Sequence, residues 1–230
     1  FVSNKVFEKS LIEKEVAKNK IFYMPNWAED IFTSSKELKS VRKDFNIPDG
    51  FVIMFAGNLG EAQDLEAVLK AAELTKENKS IQWVFVGNGR KFKWLKETIK
   101  EKKLFKTVKL LGRHPTESMP SFFKLADIML VSLKDEYIFS LTVPGKIQSY
   151  MASGKPILAM LNGAGYNVVL EANCGFAAKA GDYKKLYSNV LKSYNLSTKT
   201  LEDLGSNSRK YYINNYSKNK IIHDFINIIK

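Results

Sequence analysis

Between residues 51 and 178 the chain carries six short apolar runs, each separated from the next by a loop and a stretch with helical periodicity. The clearest are FVIMFA at 51–56, IQWVFV at 81–86 and IMLVSL at 128–133. An apolar run that does not alternate with polar residues suits a strand buried on both faces, as in a parallel sheet covered by helices. Shorter runs at 108–111, 156–161 and 175–178 complete the set. Helical spacing between them predicts helices over 63–75, 91–102, 116–125, 168–172 and 183–194. Six strands in such alternation predict an α/β fold, a Rossmann-like parallel sheet with helices on both faces.

Outside that core the pattern is less regular. Charged residues with Val6, Phe7, Leu11, Ile12 and Val16 at helical spacing predict one helix over 5–20, then a short strand over 20–25 ended by Pro25. Residues 26–32 read as a loop. A helix is expected over 34–45, with Ser34, Ser35, Lys36 and Glu37 as its cap and residues 47–50 as its break. Between the strands at 128–133 and 156–161 lie a polar loop and a short helix stopped by Gly154. Residues 162–166 read as a glycine-rich loop, and helical patterns at 198–212 and 218–230 finish the chain.

Composition narrows the function classes. The formal net charge is +12 over 230 residues. Nucleic acid, an anionic membrane surface or an anionic small substrate would each suit that balance, and so would lysines that merely solvate helix faces. Cys174 is the single cysteine, and His114 and His223 are the only histidines, so cysteine- or histidine-based metal clusters are not expected. No apolar run approaches the roughly 20 residues that span a bilayer, and no signal peptide opens the chain. The first residue is Phe1, and the pattern starts midway, as expected of a piece of a longer protein.

Ligands of open α/β sheets sit at the carboxyl ends of strands, where loops meet helix N-termini. Three such loops carry glycine, residues 57–60, 87–89 and 112–114, and a fourth carries Lys146 where it turns into a helix. Glycine there lets the backbone approach a ligand and leaves amides free for phosphate. The dinucleotide fingerprint and the Walker pattern are both absent, which speaks against hydride transfer and P-loop nucleotide hydrolysis. A nucleotide or another phosphorylated ligand is the expectation. Bland roles stay open beside it: Lys146 as a solvated helix-start lysine, Arg113 and His114 as partners of a strand end, and Met119 as core. Glu136 reads as a surface loop residue, and Gly163 and Gly165 as a plain turn.

The order of these loops resembles one family. The residues are Ala56-Gly57-Asn58-Leu59-Gly60, Val86-Gly87-Asn88-Gly89, Leu111-Gly112-Arg113-His114 with Met119-Pro120, Ala126-Asp127, and Lys146 through Pro156. They are similar to the C-terminal, donor-binding half of a retaining GT-B glycosyltransferase, the glycosyl transferases group 1. Residues 139–144 look most like its bacterial O-antigen and capsule amino-sugar subgroup. Tyr216-Ser217 fits an aromatic–serine pair that precedes the family's last helix.

That resemblance implies a donor domain over residues 26–215. Residues 1–25 would be the end of an N-terminal acceptor domain and its linker, and residues 216–230 a helix packing back on that domain. It implies Lys146 as the catalytic cation. The donor would be bound by Gly57, Asn58, Leu59, Gly60, Gly87, Gly89, Arg90, Arg113, His114, Met119, Thr142, Val143, Pro144, Gly145, Gln148 and Ser149. The donor would be a UDP-sugar, with no metal and no further cofactor, and the acceptor a polysaccharide or a lipid-linked glycan. The expected location is cytoplasmic, at the periphery of an anionic inner membrane, with no nucleic acid as partner. The family's two glutamates fall on Leu141 and Ser149, and a customary Arg and Lys fall on Asn58 and Gln63. Gln148 or Glu136 would then replace the carboxylates, and Arg90 or Arg113 would assist Lys146. The competing readings are a sugar-nucleotide epimerase and a non-catalytic nucleotide-sugar-binding module.

Overall fold

In the computed structural model, which describes residues 1–33 and 42–229, the strand Phe51–Ala56 (β1) lies parallel to Ile81–Val86 (β2), paired from Phe51↔Ile81 to Ala56↔Val86. Val108–Gly112 (β3) flanks β2. On the other side of β1 come Ile128–Ser132 (β4), Ile157–Met160 (β5) and Gly175–Ala178 (β6). The order is β3-β2-β1-β4-β5-β6, with every pairing parallel. The direction of winding therefore reverses between β1 and β4, and the expected Rossmann-like sheet is what forms.

Alternate residues of each strand point to opposite faces, and both faces are dry. Val52, Met54, Val84, Met129 and Ile157 pack on one side against the helices Met119–Leu125 (α4), Gly145–Ala152 (α6) and Gly163–Glu171 (α7). Ile53, Phe55, Trp83, Phe85 and Leu158 pack on the other against Leu65–Leu74 (α2), Phe92–Glu101 (α3) and Tyr183–Tyr194 (α8). Trp83 is fully buried, and its indole N–H donates to Thr75 Oγ1 at 3.0 Å. Burying each such side chain is worth about 2 kcal/mol, which is why the runs carry no polar alternation.

Several local expectations are corrected. The helix expected over 5–20 stops early, as Lys5–Ile12 (α1). Glu15 sits at φ 63°, and Val16 N–H donates to Leu11 O, the helix-ending pattern usually built on glycine. The strand expected over 20–25 is a single parallel bridge, Val2↔Tyr23, because nothing beyond Val2 is aligned to extend it. Residues 30–32, read as loop, form a 3-10 turn, and so do residues 42–45. The helix start and cap expected at Ser34, Ser35, Lys36 and Glu37 lie outside the described residues. The loop before Pro144 contains the short helix Tyr137–Ser140 (α5).

The glycine-rich segment 162–166 is also not a loop. It is the first turn of α7. A Cβ on Gly165 would lie 2.6 Å from Leu161 Cδ1 and 3.1 Å from Pro144 Cδ. Gly165 thus lets α7 seat against the loop that leads into α6. Its role is packing.

The helix Thr198–Asn215 (α9) is capped by Ser197, whose Oγ accepts from Thr200 N–H at 3.1 Å, and Lys218–Ile229 (α10) follows. Phe1 lies 5.4 Å from the Phe225 ring and 5.7 Å from that of Phe22, so the two ends of the chain meet. No helix among the described residues is long and apolar enough to cross a membrane.

The amino end of the β1–β4 seam is closed by Asp127. Its Oδ2 accepts from Val52 N–H at 2.7 Å and from Arg42 Nη2 at 2.8 Å, while Arg42 also donates to the carbonyls of Gly50 and Leu125. Asp127→Ala would strand a backbone donor and a partly buried guanidinium. It is expected to lower unfolding stability by about 2 kcal/mol, read as a shifted urea midpoint with unchanged slope. Asp127→Asn, which keeps one acceptor, should cost less.

Candidate functional site

β1 pairs with β2 through Ala56, but with β4 only at Ile53↔Ile128 and Met54↔Met129. Beyond Met54 the sheet opens, and a cavity of about 670 Å³ lies at that carboxyl edge. Its lining comes from the ends of β1, β2 and β3 and from α4 and α6. Of the residues expected there, Gly57, Asn58, Gly87, Gly89, Arg113, His114, Met119, Lys146 and Ser149 do line it. The turns at the strand ends bring them together although they are scattered over ninety residues of sequence.

Lys146 is in the first turn of α6. Its stem crosses Gly57, where φ is 131°: a Cβ on Gly57 would lie 2.7 Å from Lys146 Cε and 3.0 Å from Nζ. The ammonium lies 5.1 Å from the Phe55 ring centroid. It makes no ion pair among the described residues, and burial lowers its pKa from the ordinary lysine value. The bland reading of a solvated lysine is thereby set aside. Among the described residues that line the cavity, none is Asp or Glu; the fixed positive charges are Lys146 and Arg113.

His114 serves two purposes. Its Nε2 lies 3.1 Å from Leu111 O, so it does bond the strand end, and its ring packs 4.6 Å from Phe122. It still lines the cavity. Ser149 Oγ donates to Gly145 O at 3.2 Å, within its own helix.

Other expected residues lie elsewhere. Gln148 is 2% exposed and points into the protein, with Oε1 unpartnered among the described residues. Helix geometry explains it: 146, 149 and 150 share a face at i, i+3 and i+4, whereas 148 is about 200° away from 146. Leu59 is fully buried and contributes backbone bonds, its N–H to Asn88 O and its carbonyl to Lys91 N–H. Gly60 N–H is taken by Gln63 Oε1 at 2.9 Å, so Gln63 closes the first loop. Arg90 is exposed in the turn before α3. Thr142 Oγ1 donates to Phe139 O, Pro144 caps α6, Gly145 opens it, and Val143 faces a separate small cavity with Asn4, Tyr23 and Tyr211. Leu141 is buried and Glu136 exposed, and neither lines the cavity.

The cavity also holds residues that sequence reasoning missed. Phe32 stacks on Phe123 at 5.3 Å, Phe123 meets Tyr150 edge-on at 5.2 Å, and Asn88 and Thr116 complete the wall. Tyr150 was signalled by its spacing of four from Lys146. Nothing local signalled Phe32, which reaches the cavity from a distant segment. No cluster of three or more His, Cys, Asp or Glu among the described residues is placed to hold a metal ion.

The family model described as "Glycosyl transferases group 1" matches residues 39–211. The chain is 30% identical over 154 residues to the glycosyltransferase WbjE of Pseudomonas aeruginosa, covering 65% of this chain and 37% of that protein. It is 26% identical over 147 residues to WcaI of Escherichia coli (strain K12), named as a colanic acid biosynthesis glycosyl transferase, with 62% and 35% covered. The chain thus spans little more than a third of the length of these curated relatives. Anabaena Alr3699/HepE, solved in complex with UDP-glucose, superposes with a TM-score of 0.82 at 16% identity, over 99% of this chain and 62% of that one. That likeness shows a shared fold, one Rossmann-like half of a GT-B glycosyltransferase. With a family model covering most of its length, this chain belongs to the glycosyl transferases group 1.

Proposed function

We propose that the cavity binds a nucleotide sugar, a UDP-sugar, as the donor for retaining transfer to a polysaccharide or lipid-linked acceptor. The observation that carries this reading is Lys146: a partly buried ammonium without an ion pair among the described residues, in a cavity whose described lining holds no carboxylate. Burying an unpaired charge costs several kcal/mol, and a diphosphate supplies the missing counter-charge. Alr3699/HepE, which shares the fold, was solved with UDP and with UDP-glucose.

Lys146 and Arg113 then take up the charge that develops on the departing diphosphate. The amides of Gly57, Leu59, Gly60, Gly87 and Gly89 are already bonded within the protein, so these two side chains carry the work. His114 and Met119 flank the base, and Ser149 offers one hydroxyl to the sugar of the nucleoside. The acceptor site belongs to a further domain, so the 230-residue chain binds donor but transfers poorly. The net charge of +12 suits work at an anionic membrane surface. The lack of a carboxylate at both Leu141 and Ser149 favours a second reading, a donor-binding module without turnover. Assay of the longer protein with a radiolabelled UDP-sugar separates the two.

Calorimetric titration of UDP tests the site. Lys146→Ala is expected to weaken UDP binding by about 30-fold, as for loss of one charge-assisted contact, without lowering thermal stability. Absence of UDP binding to the parent chain at millimolar concentration would sink the donor reading.

The pH dependence has a definite sign. Burial lowers the Lys146 pKa in the free protein, and a bound diphosphate raises it again. The liganded state therefore holds more protons, and UDP affinity falls as pH rises through the lowered pKa. Titration in buffers of different ionisation enthalpy should show proton uptake on the alkaline side. Lys146→Ala should abolish that uptake.

A further inference from the structure

Ala56 is the last residue of β1, and its N–H and C=O point toward β4, which has already diverged. Both groups are buried, with Ala56 5% exposed. Their partner is a single hydroxyl. Ala56 N–H donates to Tyr150 Oη at 3.2 Å, and Tyr150 Oη donates to Ala56 O at 3.2 Å. A phenol can do both at once. Tyr150 is 1% exposed, its ring is braced edge-on by Phe123, and its hydroxyl has no other partner among the described residues.

Tyr150 stands one helical turn after Lys146 on the same face of α6. The two side chains grip consecutive residues of the chain. Tyr150 holds Ala56, while the stem of Lys146 lies on Gly57. A sliding or tilting of α6 against β1 would therefore break the Ala56 bonds and carry the ammonium off Gly57 in one movement. A tyrosine that merely filled the core would place its hydroxyl at water or cost an unpaired polar group. This one replaces the strand partner that β1 lacks.

Resting on the donor reading above, we propose that Tyr150 is a positioning residue, a latch that fixes α6 against the end of β1 and so holds Lys146 where the donor's diphosphate binds.

The test is a double-mutant cycle on the 230-residue chain, reading UDP affinity by calorimetry beside thermal unfolding. Tyr150→Phe keeps the ring and is expected to weaken UDP binding about fivefold, the equivalent of one hydrogen bond. If Tyr150 acts through Lys146, the same change in the Lys146→Ala background leaves UDP affinity as it was. Equal losses in both backgrounds, or unchanged affinity with Lys146 present, would overturn the proposal. Should Tyr150→Phe not fold, 3,5-difluorotyrosine at 150 keeps the hydroxyl but makes it a weaker acceptor. It should give a smaller loss that again vanishes without Lys146, and a loss that persists, or none at all, counts against the latch. Failure of the parent chain to bind UDP is a separate outcome, and it removes the donor reading itself.

Discussion

The structure depends on the parting of β1 and β4. A doubly wound sheet sends its first crossovers one way and its next the other, so two adjacent strands lead to helices on different sides. Here they pair only at Ile53 and Met54, and the backbone groups on either side of that short pairing need partners. Each is met in a different way. Asp127 closes the amino end of the seam, Tyr150 takes both groups of Ala56, and Ser132 Oγ donates to Gln63 O at 2.6 Å across the gap. The cavity is the space these substitutions keep open.

Into that space the fold places a charge it does not neutralise. Other lysines are paired: Lys91 lies 3.2 Å and Lys134 3.6 Å from the carboxylate of Glu61 near the same edge, and Lys102 is 2.7 Å from that of Glu73 at the opposite one. Such partly exposed pairs contribute little to stability, and they account for part of the basic composition without reference to function. Lys146 differs because it is partly buried and has no carboxylate partner among the described residues. On the proposed reading, stability is given up at one point so that an anion finds its counter-charge already in place, the usual logic of a preorganised site.

Much of this was legible in the sequence where burial dictates residue type. The strands at 51–56, 81–86 and 175–178 were bounded to the residue because a strand covered on both faces admits little but apolar side chains. The glycine loops and Lys146 were legible because close backbone approach and a helix start leave local marks. Failures came where the deciding contact is distant. The end of α1 depends on Glu15 adopting a left-handed conformation, and α7 begins early, with Gly165 packed close to Leu161 and Pro144. Gln148 was misplaced for a different reason: its polarity suggested a ligand contact, while its phase on α6 turned it inward. Phase is the better guide within a helix. Read that way, Tyr150 joins Lys146 at the cavity and Gln148 leaves it.

The departures from the family pattern become coherent on the same basis. Gln63, where a cation is customary, is committed to the amide of Gly60, and Leu141, where a carboxylate is customary, is packed into the protein. Ser149 keeps its hydroxyl on its own helix. Two cations and two carboxylates of the family pattern are thus missing together, and the charged side chains among the described residues lining the cavity are Lys146 and Arg113. A site that lost only its carboxylate would hold surplus charge, and one that lost only its cations would repel a diphosphate. On the donor reading proposed above, losing both places the electrostatic work on Lys146 and Arg113, and makes the position of the Lys146 ammonium the quantity that the surrounding contacts of Gly57, Phe55 and Tyr150 must control.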